Sequence, residues 1–276
     1  MQEHVSNITQ WFNHVFGPLA LSLLHALHLQ PADYDAPIPE YVVMSIITLL
    51  IGTIIALIVR SQLSVERPGT IQQIAELVLT NPMGFGVKDL LEENAGHAGD
   101  KFIPFVGSVA IFVLIANLLG VFPALTSPTG NAVVPLACAC LTFLYFNWQG
   151  IRHHGPGHYL LTFAGSPKTG PDWALAFLLF PVEIASTFAR LLSLTVRLWA
   201  NILASDLIYM IFLGLLIAPM EWAWHKSPAL GFAFGIFPAL IPIAFIGLHI
   251  FVSVIQAYIF TVLPSIYVGM AVADEH

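Results

Sequence analysis

Glu183, Arg190 and Arg197 stand seven residues apart in an otherwise apolar stretch that runs from Leu175 to Ala218. Seven residues turn a helix by about 700°, close to two full turns, so the three side chains share one side. Asn201, four residues beyond Arg197, joins them, and Thr187, Ser193 and Ser186 border the same stripe. A carboxylate, two guanidiniums and an amide on one face of an apolar helix are groups that can hold and pass charge through a membrane. Arg197 carries the most information. It lies inside Leu191–Leu198, LLSLTVRL, where a permanent charge at membrane depth costs from about 2.5–3.5 kcal/mol to well over 10, depending on the reference state. Arginine keeps its proton in proteins. With no carboxylate three or four residues away on its own helix, its charge must face a polar cavity or a carboxylate from elsewhere.

Asp206 is nine residues past Arg197, about half a turn away, and is expected to serve a different cavity. His249, Ser253 and Gln256 are spaced four and three residues apart in the last apolar segment, so they share a face. An antiparallel pairing of the two segments would bring Gln256 near Arg197 and His249 near Asp206. Structural readings stay open for most of these residues. Glu183 and Arg190 also suit an ion pair near the cytoplasmic interface. Asn201 and Gln256 suit interhelical hydrogen-bond glue, worth about 0.6 kcal/mol in membrane hosts, and His249 suits a satisfied core histidine. Arg197 fits such a reading least.

The elements that must position these groups are membrane helices. The chain has 276 residues, 57% hydrophobic and 9% charged, with a mean hydropathy of +0.82. Soluble domains carry about 25% charged residues, so the expected class is an all-α polytopic membrane protein, one membrane domain over residues 1–276. The net charge of −7 is spread over loops and termini, with no basic stripe for nucleic acid. Cys138 and Cys140, two apart in an apolar segment, read as small core residues. The start, MQEHVSN, is acidic where a signal peptide would be basic. Residues Val5 to Leu29 place Trp11, Phe12, Val15, Phe16, Leu19, Leu23 and Leu27 at helical spacing, which predicts an interfacial amphipathic helix within an external segment 1–40.

About five membrane helices are expected. The first span covers 41–60, from Tyr41 to Val59 and ending at Arg60, long enough for a hydrocarbon core of about 30 Å. Residues 61–101 read as an amphipathic cytoplasmic region. It holds a helical run Thr70 to Thr80, a break at Asn81-Pro82-Met83-Gly84, and a charged, exposed stretch Asp89 to Lys101. A helical hairpin occupies 102–148: spans Phe102 to Phe122 and Asn131 to Trp148, joined by the uncharged loop Pro123 to Gly130. The polar loop 149–173 carries Arg152, His153, His154, His158, Lys168 and Asp172. Residues 174–276 form the last and longest hairpin. No proline falls between Pro181 and Pro219, a run of roughly 55 Å if helical throughout, nearly twice the bilayer core. Such a helix must tilt steeply, bend, or run partly in the membrane plane. The final segment, Ala229 to Val272, is similarly long, with Pro238, Pro242 and Pro264 allowing breaks, and the turn between the two is Glu221 to Ser227.

Loop cations set the expected orientation. Arg60, Arg67, Lys88 and Lys101 follow the first span, and Arg152 and Lys168 follow the third, so both regions should be cytoplasmic. The N-terminus, with Glu3, Asp33 and Asp35, is then outside, and the C-terminal Asp274-Glu275-His276 is cytoplasmic. No internal repeat marks an inverted-repeat transporter.

Residues Leu191 to Met210, LLSLTVRLWANILASDLIYM, resemble the signature of subunit a of the rotary F-type ATP synthase, and so does the last helix, His249 to His276. Asn117-Leu118-Leu119-Gly120-Val121-Phe122-Pro123 resembles a third element of that family. The similarity runs in outline from Pro39 to the C-terminus. The resemblance implies an ion path against a rotating ring of c subunits, with peripheral-stalk b subunits and the rest of the ATP synthase as partners, lipid around it, and a bacterial plasma (inner) membrane as its place. The lack of a transit peptide favours that membrane over an organelle. It implies no cofactor and no metal. Arg197 matches the family's essential arginine facing the ring. Asn201 and Gln256 match polar residues beside it, with Ser193 one turn before. Asp206 and His249 match the pair lining the outer half-channel, and Glu183 and Arg190 match positions toward the cytoplasmic one. Departures are Asp206 where many relatives have glutamate, Gly120 where some have an acid, and Trp199-Ala200 in place of an aromatic-glycine pair.

The chain has no GxxxxGK[ST] nucleotide loop, so catalysis of ATP formation would lie elsewhere in the complex. Two competing readings differ in their tests. A stand-alone transporter or channel predicts internal pseudo-symmetry and flux without partners. A membrane metalloenzyme would use His153, His154 and His158 of the HHGPGH run, which has no acidic cluster nearby.

Overall fold

The computed structural model describes residues 6–272 except 32, 35, 65–67, 82–83, 123–124, 166 and 168–169. The side chains of 97–98, 171, 213, 216, 218 and 228–242 are not described either. Expectations that rest on Glu3, Asp35, Arg67, Pro82, Met83, Pro123, Lys168 and Asp274-Glu275-His276 therefore lie outside the described residues.

The described residues form helices and no strand. In chain order these are α1 (Asn7–Ala26), α2 (Glu40–Ser61), α3 (Thr70–Leu79), α4 (Val87–Ala95), α5 (Ile103–Leu119), α6 (Val133–His154), α7 (Pro156–Thr162), α8 (Gly170–Lys226) and α9 (Pro228–Val272), with 3-10 turns at Gly96–Phe102 and Pro128–Gly130. Five stretches are long and apolar enough to cross a membrane: Glu40–Ser61, Gly99–Leu119, Val133–His154, Asp172–Phe212 and Ile243–Val272. The all-α polytopic class follows directly.

The chain divides into two compact units. The first holds residues 1–52, 114–134 and 199–255, and the second holds 53–113, 135–198 and 256–276.

In the first unit, Ser6 caps α1 by accepting the Thr9 N–H at 3.3 Å. Asn13 clamps the segment that leads into α2: its Nδ2 donates to the Ile38 carbonyl at 3.0 Å, and its Oδ1 accepts the Ile38 N–H at 2.9 Å. This buried amide fixes the amphipathic helix, while Trp11, Val15, Leu19, Leu23 and Leu27 stay exposed on its outer surface. That is the pattern of an interfacial helix. Within this unit α8 and α9 run antiparallel, with Tyr209 and Phe212 both against Phe245 at centroid distances of 6.0 and 5.6 Å.

In the second unit, Gln72 of α3 ties down the chain before it, accepting the Ser64 N–H at 2.8 Å and donating to the Ser64 carbonyl at 3.1 Å. Asp89 of α4 accepts the N–H groups of Asn81 and Gly86 at 2.8 and 3.2 Å. The stretch Asp89 to Lys101, expected to be exposed, is instead two-faced. Lys88 pairs with Glu92 and Asp100 at 3.9 and 4.0 Å on the wet side. Leu91, with Val87 before it, packs into a core with Phe102, Val106, Phe146, Tyr159 and Val268. The apolar spacing of Val87, Leu90 and Leu91 outweighs the local charge, because one helix face is enough to bury them.

Three further expectations are corrected. The third span does not stop at Trp148: α6 carries Arg152, His153 and His154 as its last turn, where positive side chains suit the helix dipole. Gly155, at φ 80°, turns the chain into α7. The segment expected as the polar loop 149–173 is thus largely helical. The prolines of α9 do not break it, since Pro228–Val272 is one assigned helix of 45 residues. Likewise Pro181 and Pro219 lie inside α8, which has 57 residues.

Candidate functional site: two polar constellations on the long helices

Arg197, Ser193, Arg190, Glu183 and Gln256 belong to the second unit; Asn201, Asp206 and His249 belong to the first. The second unit is described first. Arg190 donates from Nη2 to Glu183 Oε1 at 3.3 Å, an ion pair two turns long on α8. Its guanidinium also lies over the Tyr267 ring of α9, 5.7 Å from the centroid. The pair opens onto a cavity of about 180 Å³ lined also by Phe146, Tyr159, Thr187 and Tyr267. This pair was open to a structural reading, and its geometry fits that reading and the lining of a wet cavity equally.

Tyr159 closes this cavity, and sequence reasoning missed it. Its hydroxyl donates to Asn147 Oδ1 at 3.1 Å. Burial pushes the phenol up to about 12, against a lowering pull from Arg190, so it stays a neutral donor throughout the physiological range. Gly150 makes the approach possible, because a Cβ there would overlap the Tyr159 ring. A glycine inside an otherwise well-formed helix was the available signal.

Arg197 is half-buried. Its Nη2 donates to Ser193 Oγ at 3.4 Å. Among the described residues the ion pairs join Lys88 to Glu92 and Asp100, and Arg190 to Glu183, so none holds Arg197. A guanidinium has five N–H donors, and one long bond to a hydroxyl leaves most of that capacity directed elsewhere. Gln256 is only 2% exposed, and its Oε1 has no hydrogen-bond partner. Both residues are under-satisfied, although no hydrogen bond joins them among the described residues.

In the first unit, Asn201 and Asp206 are exposed and His249 is buried. His249 lies within electrostatic reach of Asp206, with no ion pair within 4.0 Å between them among the described residues. Instead Nδ1 lies 3.2 Å from Ser205 Oγ and Nε2 lies 3.0 Å from the Asn117 carbonyl oxygen. Asn117 is itself fully buried, and Thr129 donates to its Oδ1 at 2.5 Å. Ser205 carries no charge or spacing signal of its own beside Asp206 in the sequence. The carbonyl of Asn117 could not be found by reading side chains.

His153 and His154 meet edge to face at 4.8 Å between ring centroids, and His158 lies tilted to His154 at 5.9 Å. Among the described residues no group of three or more His, Cys, Asp or Glu side chains is arranged to hold a metal ion. Cys138 is buried, and both cysteines are free.

The comparisons with known proteins meet this geometry. The family described as ATP synthase A chain matches residues 42–269. The chain belongs to the ATP synthase A chain family. A protein of Koribacter versatilis named ATP synthase subunit a is 35% identical over 271 residues, covering 96% of this chain and 98% of its own length. One of the same name from Solibacter usitatus is 40% identical over 240 residues, covering 87% and 90%. A third, from Geobacter sulfurreducens, is 32% identical over 254 residues, covering 92% and 94%. The matched region takes in every candidate residue named above, and the membership accords with a multi-pass membrane protein of five apolar spans.

Proposed function

We propose that the chain is the proton-translocating stator subunit of an F-type ATP synthase, in which Arg197 meets the carboxylates of a rotating c-ring. The observation that carries this reading is an arginine in an apolar span with one weak hydrogen bond and no ion pair among the described residues. A charge at that depth needs a polar cavity or a carboxylate, and among its described residues this chain does not supply the carboxylate. A membrane carboxylate that is neutral against lipid and ionised beside Arg197 would.

The energetics favour such a cycle. A fixed cation favours the ionised form of a carboxylate brought beside it, so an arriving acid releases its proton. At about 4 Å and an effective dielectric near 20, the attraction is about 4 kcal/mol. The carboxylate leaves only when it is reprotonated or when a second carboxylate takes its place, so loading groups must stand close by. Asp206 and His249 are the loading groups of one half-channel in this reading, and Glu183 and Arg190, which line a polar cavity, are those of the other. Each proton crossing 100 mV releases about 2.3 kcal/mol, which biases rotation over many steps. Arg197 also repels a free hydrated proton, blocking a direct leak. Asn201, Ser193 and Gln256 are the polar lining beside the arginine. The partners are then the c-ring, the b subunits of the peripheral stalk and the rest of the ATP synthase. The membrane is a bacterial inner membrane, with the N-terminus outside and the C-terminus in the cytoplasm.

The test is cross-linking in the assembled complex. Cysteine at Ser193 or Asn201 should form disulfides with cysteines placed one turn from the c-subunit carboxylate, and cysteine at Trp11 should not. Absence of cross-links from both α8 positions in an assembled complex contradicts the ring-facing assignment.

A further inference from the structure

We infer that His249 is held as its Nε2–H tautomer by the Asn117 carbonyl, so that Nδ1, facing Ser205, is the only atom through which it exchanges a proton. The inference deepens the proton-path reading and rests on it. It follows from what each ring nitrogen touches. Nε2 lies 3.0 Å from a peptide carbonyl oxygen, a group that only accepts. The nitrogen opposite it must therefore carry the hydrogen. The neutral ring then presents its lone pair at Nδ1 to the Ser205 hydroxyl, 3.2 Å away, which donates.

The carbonyl is a fixed anchor. It also accepts the Gly120 N–H at 3.1 Å, so both its lone pairs are used. The turn Pro128–Gly130 braces it from the side: Thr129 donates to Asn117 Oδ1 at 2.5 Å, and Ser127 donates to the Ala116 carbonyl at 3.0 Å. Gly120 keeps the approach open, since a Cβ there would lie 3.2 Å from His249 Nε2 and 3.1 Å from Ser127 Cβ. The substitution of glycine for an acid at this position thus has a structural counterpart: the space is taken by the histidine ring.

The consequence is that His249 is not a wire through which a proton enters at one nitrogen and leaves at the other. A peptide carbonyl neither stores nor passes on a proton, so Nε2 is a dead end. A proton arriving from the side of Ser205 and Asp206 forms an Nδ1–H bond as its O–H bond breaks, giving the imidazolium. It leaves by the reverse step from the same atom. His249 becomes a side arm that holds a proton beside Asp206, and Ser205 becomes the positioning residue that aims it.

The test uses the intact ATP synthase in lipid membranes with 15N-labelled histidine. The His249 signals are assigned by difference against His249→Gln. Magic-angle-spinning spectra should show Nε2 as the protonated, pyrrole-type nitrogen and Nδ1 as the bare, pyridine-type one in the neutral ring. A neutral ring with the hydrogen on Nδ1 overturns the inference. As a transport readout, Ser205→Ala should slow ATP-driven proton pumping about tenfold, and Ser205→Thr should restore it. Pumping at the wild-type rate in Ser205→Ala overturns the role given to Nδ1. The spectrum needs no turnover, so a wrong tautomer with Arg197-dependent pumping intact removes this inference alone. Pumping that survives loss of Arg197 removes the underlying reading.

Discussion

Replacing Gly150 with alanine should unseat Tyr159 and with it the wall of the Glu183–Arg190 cavity. The new Cβ would lie 2.7 Å from Tyr159 Cζ and 2.8 Å from Cδ2, well inside contact distance. The ring cannot give way in place, because Tyr159 is 6% exposed and packs among Leu91, Phe102, Val106, Phe146 and Val268. The short helix α7 must lift instead. Removing an aromatic side chain from its site forfeits about 1.5–3 kcal/mol of burial. Losing the hydrogen bond to Asn147 adds about 1 kcal/mol. The sum, about 2.5–4 kcal/mol, corresponds to an opening constant raised by roughly two to three orders of magnitude. Hydrogen exchange of the α7 peptide in the assembled complex reads this directly, as a loss of protection confined to Pro156–Thr162 and the facing turn of α6. Tyr159→Phe keeps the ring and loses only the hydrogen bond, so its change should be about tenfold or less. Unchanged α7 protection in Gly150→Ala, or a larger effect from Tyr159→Phe than from Gly150→Ala, refutes the reasoning.

Other outcomes are expected. Asp206→Asn should lower ATP-driven acidification only partly, since water can replace one member of a proton relay and the Ser205–His249 contact does not involve its carboxylate; complete loss in an assembled complex contradicts this. Breaking the Glu183–Arg190 pair with Glu183→Gln should leave assembly and thermal stability nearly unchanged, because half-exposed ion pairs contribute about 0.2–1 kcal/mol, and a fall in melting temperature of more than about 4 °C would show a larger structural role. Replacing His153, His154 and His158 together with alanine should leave proton pumping intact, and a loss of pumping would revive a catalytic or conducting role for that cluster.

Periodicity made the spans readable. The apolar runs of α2, α5 and α6 stand out at single-residue level, and only the C-terminal end of α6 lies far from its expected place, six residues beyond Trp148. The interfacial character of α1 was legible for the same reason, from the spacing of Trp11, Val15, Leu19 and Leu23. Charge misled at two places. Asp89 to Lys101 hides a buried face under acidic residues, and the basic end of α6 looks like a loop while it caps a helix. Proline also misled, since in long apolar helices local backbone adjustment can accommodate the missing N–H. At the candidate site the side chains on α8 and α9 were visible from seven- and four-residue spacing. Their partners were less so. Tyr159 enters from a segment with no periodic signal, and the Asn117 carbonyl is backbone, which side-chain reading does not reach. Register and resemblance both pointed to Asp206 and His249, while the Ser205 contact to Nδ1 was visible in neither.

The central claim is that Arg197 couples ring carboxylates to proton flow. The most direct measurement compares membranes holding the complete complex with wild-type, Arg197→Lys or Arg197→Ala chain, each with confirmed assembly. ATP-driven acidification and ATP synthesis under an imposed proton gradient are followed in the same vesicles. The account predicts loss of both activities in both variants, because lysine lacks the planar fork and sheds its proton when desolvated. It also predicts a raised passive proton leak in Arg197→Ala, where the fixed charge is gone. Near-normal synthesis and acidification in assembled Arg197→Ala complexes would contradict it, making the arginine structural and returning the chain to the transporter reading.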